Sequence, residues 1–102
     1  MYLSKVPRKE RQDEMSFLGL DPTAVRALAG QMRNAASDIQ SMTNNLTSML
    51  GQTQWTGPDH DRFANEWQGT HIPQLHQVMS ALEQAARDAD MNAQQQEQAS
   101  NS

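Results

Sequence analysis

Gln54-Trp55-Thr56-Gly57-Pro58-Asp59 lies almost midway along the chain, between two long segments that both carry helical periodicity. Gly51 and Gly57 bracket the stretch and Pro58 follows at once, so one helix should stop before Trp55 and a second should start just after Gly57. Gly tolerates the left-handed backbone that closes a helix, and Pro has no amide hydrogen to lose at the first helical position. Gly57 and Pro58 therefore read as N-cap and first residue of the second helix. Asp59 and Asp61 fall in its first turn, where carboxylates meet the positive end of the helix dipole. Trp55 is unusual in so tight a turn, because a large indole is costly to leave in water and needs a groove to cover it.

Upstream of the turn, Asp21-Pro22 opens the first helix, Asp as N-cap and Pro with its preset backbone angle. From there Val25, Leu28, Met32, Ala35, Ile39, Met42, Leu46 and Met49 recur at alternating spacings of three and four, an unbroken heptad seam. Ala29, Ala36 and Leu50 widen it on one side, where small residues would let another helix approach closely. The predicted helix covers residues 21–51, about 45 Å at about 1.5 Å per residue. Its methionines read as core filler rather than metal or cofactor ligands.

Downstream, residues 52–57 form the turn and a second helix runs over 58–92. Phe63 and Trp67 make an i, i+4 aromatic pair, after which the apolar pattern splits into two overlapping seams. One is Leu75, Val78, Leu82, Ala85 and Ala89; the other is Ile72, Leu75, Met79, Leu82 and Ala86. Together they give a stripe wide enough to touch two neighbours. Pro73 removes one backbone bond and presses on the carbonyl of Gly69, which predicts a kink near Gly69 to Pro73. Residues 1–19 lack sustained periodicity and mix charge densely, so they read as a mobile arm, with Met15 a place where a shorter chain could begin. Residues 93–102 are Gln, Asn, Ser and Ala with one Glu, and read as a disordered polar tail.

No segment alternates with period two, so the chain reads as all-α: an antiparallel helix-turn-helix hairpin over residues 20–92. A lone hairpin would leave the outer part of both stripes wet. A second hairpin remedies this, giving a dimeric four-helix bundle. Val25, Leu28, Met32, Ile39, Met42, Leu46, Phe63, Trp67, Leu75, Val78 and Leu82 are the expected helix-packing interface, with Trp55, Gly57 and Pro58 shaping the turn and a partner groove.

Composition points the same way. Apolar residues are 36% of the chain and the mean hydropathy is -0.81, so any core is narrow and help from a partner is expected. Net charge is -4, and from Phe17 onward there are four basic and nine acidic residues, which argues against nucleic acid as a partner. With no cysteine, neither disulfides nor thiolate metal sites can staple the fold. The basic start is followed by only a brief apolar patch, Met15 to Leu20, too short for a signal-peptide core, and no stretch is long enough to be a transmembrane segment.

Chemistry-bearing constellations are absent from the pattern. His60, His71 and His76 lack metal-ligand spacing, with His71 the one expected to be packed. Asp59/Asp61 and Asp88/Asp90 are two apart and diverge on a helix, so they do not make an acid-base pair. There is neither a Gly-x-Ser-x-Gly elbow nor a Gly-rich phosphate loop. The reading is therefore not an enzyme, with no metal and no cofactor.

The longer string Trp55-Thr56-Gly57-Pro58-Asp59-His60-Asp61-Arg62-Phe63-Ala64-Asn65-Glu66-Trp67, placed mid-chain between two matched helices, resembles the WxG family of small type VII secretion proteins. It looks most like actinobacterial members related to early secreted antigen. The resemblance covers roughly Leu20 to Ser100. It implies a hairpin that pairs with itself or a related WxG protein into a four-helix bundle. It also implies export of the folded dimer, without a cleavable signal peptide, by a type VII secretion ATPase from the cytoplasm to the exterior, where such proteins act as virulence or interbacterial factors. It would place Trp55 in the groove beside the partner's second helix. The family's export signal, Tyr-x-x-x-Asp/Glu after the second helix, has no match here, since the only tyrosine is Tyr2; Ala86 precedes Asp90, and Ala93 precedes Glu97, at that spacing. The alternative is a cytoplasmic helical adaptor or chaperone for a larger secreted effector.

Overall fold

The computed structural model describes residues 20–101; the arm predicted over residues 1–19 lies outside them. Helix α1 spans Pro22–Gln52, α2 spans Pro58–Glu66, a π-helical turn follows at Trp67–His71, and α3 spans Ile72–Asn101. Among the described residues there is no strand.

Both helix starts follow from their caps. Asp21 Oδ1 accepts bonds from the amides of Thr23 at 3.0 Å and Ala24 at 3.4 Å, satisfying two donors of the first turn of α1. Gly57 precedes α2 with φ 114°, a backbone that side chains rarely adopt, and Pro58 stands at the first helical position. Its carbonyl accepts the first helical bond, from Asp61 at 3.1 Å. Gly51 is a correction to the sequence reading. It is not a left-handed stop but lies inside α1, which is closed two residues later by Thr53, whose amide and hydroxyl both donate to the Met49 carbonyl.

Ahead of Pro73, where the sequence predicts a kink, the helix widens into a π-helical turn at Trp67–His71. The Trp67 amide bonds back to Phe63 and Ala64, whereas the Ile72 amide donates to the Trp67 carbonyl five residues back. An i→i+5 turn holds one more residue than an α-turn. It also absorbs a step in the covered positions, which run His60, Ala64, Trp67 and then Ile72, Leu75, Met79. The gap from Trp67 to Ile72 is five, and the wide turn keeps both sides of it facing inward.

The described residues fall into two compact units. In Gln31–Ala86, α1 and the α2–α3 run form an antiparallel hairpin about the turn. Its buried positions are Ala36, Thr43, Met79 and Ala86, two of them alanines, flanked by half-buried Met32, Ile39, Leu75 and Leu82. Each helix thus offers a line of residues seven apart, the heptad repeat of packed helices. Small side chains on that line let the backbones come close, and larger ones close its edges.

The other unit joins residues 20–30 to residues 87–101. Ala29 and Ala93 are fully buried there, and Arg26 holds Glu97 through two bonds, the shorter 2.6 Å. This corrects the reading of residues 93–102 as a disordered tail: α3 continues to Asn101 because Ala93 has a surface to bury and Glu97 has a cation. The hydrogen bond from Arg26 holds the Glu97 carboxyl below the usual carboxylate range, aided by the charge of Arg26 and opposed by desolvation. The pair's contribution is therefore complete above the ordinary glutamate range and is lost as pH falls through the lowered value. Hydrogen exchange should show the amides of residues 93–100 opening faster on acidification, and Arg26→Gln should remove most of that pH dependence. The effect is small, because both side chains are 43% exposed.

Candidate partner-binding face

At the turn end of the Gln31–Ala86 unit, polar and apolar features are layered. Thr43 Oγ1 donates to the Ile39 carbonyl at 2.6 Å and Thr47 Oγ1 to the Thr43 carbonyl at 2.8 Å. These back-bonds to the preceding turn spare the hydroxyls from being buried unpaired. They also aim the free lone pairs of Thr47 across the hairpin, where the Trp67 indole N–H donates to Oγ1 at 2.8 Å. The bond ties α1 to the residue that opens the π-helical turn. Thr47→Val keeps the shape and removes the acceptor. It should cost about 1–2 kcal/mol and lower the melting temperature by roughly 5–10 °C, followed by circular dichroism.

Outside that layer, Leu46, Met49, Leu50, Thr53, Trp55, Phe63 and Trp67 line a groove of about 300 Å³. Trp55 stands edge-on to His60, ring centroids 5.4 Å apart, and 5.5 Å from Phe63. These contacts cover only part of the indole, which stays 39% exposed. His71, expected to be packed, is exposed beside Trp67, and the half-buried histidine is His60. The reason is the turn: Trp55 folds back over His60, while the π-helical turn carries His71 to the outer side.

The sequence-predicted interface is divided between the two faces of the hairpin. Val25, Met32, Ile39, Trp67, Leu75 and Leu82 are half-buried within the chain, whereas Leu28, Met42, Leu46, Phe63 and Val78 are exposed. On α1, Met42, Leu46 and Met49 are 55%, 51% and 60% exposed and stand three and four residues apart, which puts them on one stripe. Buried Thr43 was not singled out from sequence; its position seven residues after Ala36 was the available signal.

Charges gather on the first turn of α2. Arg62 binds Asp59 at 2.6 Å, and His60 Nδ1 lies 3.2 Å from Asp61, all outside the apolar groove. Among the described residues, no three His, Asp or Glu side chains gather to hold a metal ion, and no helix is long and apolar enough to cross a membrane. The arrangement offers an apolar surface with one part-exposed indole at its edge. Compared with known proteins, no family model, no curated protein and no solved structure matches the chain.

Proposed function

We propose that this chain is a non-enzymatic WxG-type protein that pairs with a second copy or a related hairpin into a four-helix bundle and is exported as a folded dimer through a type VII secretion system. The carrying observation is the conjunction of a Trp55-Thr56-Gly57 turn between two long helices with the open stripe of Met42, Leu46 and Met49 beside it. Apolar side chains left this exposed on a small chain gain about 25 cal/mol for each Å² a partner covers. In this reading Trp55 fills the partner's groove and the secretion ATPase recognises the assembled pair.

A second reading, a cytoplasmic adaptor or chaperone for a larger effector, is favoured by one feature. Ala93 and Glu97 stand at the spacing of an export signal, yet Ala93 is fully buried and Glu97 is held by Arg26. In the export reading, the signal then comes from the partner.

The two readings separate in culture supernatant, assayed with a cytosolic marker to control for lysis. The export reading expects the chain outside the cell and expects Trp55→Ala to stay helical but lose most of its secretion or partner binding. A chain found only in the cell fraction rejects export. A Trp55→Ala variant that pairs and is secreted normally rejects the role given to the indole.

A further inference from the structure

The chain has seven methionines and no cysteine, so thioethers are its only oxidisable sulfur groups. The hairpin sorts those it describes. Met79 is 8% exposed on the buried line and Met32 is half-buried, whereas Met91 on α3 is open and Met42 and Met49 stand open on either side of Leu46. Met49 also lines the apolar groove with Trp55 and Phe63. A two-electron oxidant reaching α1 therefore meets sulfur on the outer stripe before it meets any in the seam.

We propose that Met42 and Met49 are sites of reversible sulfoxidation by peroxide-class oxidants in the unpaired chain, and that their oxidation turns the apolar stripe polar and weakens the docking of a second copy of this chain there. The sulfur lone pair attacks one peroxide oxygen; an S–O bond forms, the O–O bond breaks, and the departing oxygen takes up the remaining proton. Thioether and hydrogen peroxide thus become sulfoxide and water, with sulfur oxidised by two electrons. The product carries a strong acceptor that an apolar partner face leaves unpaired, and a methionine sulfoxide reductase would restore the thioether. The hairpin survives because neither side chain belongs to its buried line. The weakened docking rests on the pairing reading; the order of oxidation and the loss of apolar surface do not.

The test treats dilute full-length chain with hydrogen peroxide and follows each methionine by peptide mass mapping. In parallel it reads helicity by circular dichroism and stripe polarity by the fluorescence of bound bis-anilinonaphthalene sulfonate. Met42 and Met49 should convert about tenfold faster than Met79, as their exposure dictates. Dye fluorescence should fall by more than half with helicity unchanged, and M42L/M49L should keep its dye binding under the same oxidant. Where untreated chain associates, sedimentation should show that association lost on oxidation and retained in the double variant. Untreated chain that stays monomeric overturns the docking half of the proposal, while the dye reading decides the loss of apolar surface. Equal rates at Met79, or undiminished dye binding after Met42 and Met49 are oxidised, overturns the proposal.

Discussion

Leu46→Asp is expected to leave the chain as helical as before and to weaken its association with a second hairpin about a hundredfold, a loss of about 3 kcal/mol. Leu46 is 51% exposed within the chain, so a carboxylate there can stay hydrated while the hairpin is alone. Covering the stripe would strip that water away, and an unpaired buried carboxylate costs several kcal/mol. In a symmetric pair both copies carry the change, which raises the effect further. Sedimentation over a range of concentrations reads the association, and circular dichroism on the same samples reads the fold. Association equal to that of the unsubstituted chain would remove the stripe from the interface.

Ala36→Leu should do the opposite, destabilising the hairpin itself. Ala36 is 3% exposed on the buried line of α1, and a longer side chain there must push the helices apart or leave its rotamer. Overpacking of this kind costs about 2–3 kcal/mol. For a chain of this size that lowers the melting temperature by roughly 10–20 °C. Leu46→Ala, a larger change in volume but on the open stripe, should cost about 1 kcal/mol or less. Were the large residues the seam of the single chain, thermal melts of the two variants would rank the other way.

This contrast also marks how far the amino-acid order could be read. The turn was legible because its residues are chemically singular: Gly57 takes a positive φ, Pro58 starts a helix and Asp21 caps one. The inner line was harder, since heptad spacing shows which side of a helix is apolar but not which edge of that side meets the nearest neighbour. Ala29, Ala36 and Thr43 win the seam because small side chains let two helices close without a third layer. Leu28, Met42 and Leu46 are left exposed. The extent of α3 was hidden for a related reason, as Gln-rich sequence looks unanchored until Ala93 and Glu97 are set against α1 in three dimensions. The groove at Trp55 was legible as a requirement of the indole, whereas its lining depended on which side chains of α1 and α2 the turn brings together.

The small residues in the unit that joins residues 20–30 to residues 87–101 make it easy to open. Alanines allow close approach but shelter little apolar area, so the stretch ending at Ala93, fastened outside by Arg26 and Glu97, yields to a modest pull. The indole-to-threonine rung between Trp67 and Thr47 lies beside the turn. Within the Gln31–Ala86 unit that rung acts as a latch, holding the two helices together at the floor of the groove beside Trp55.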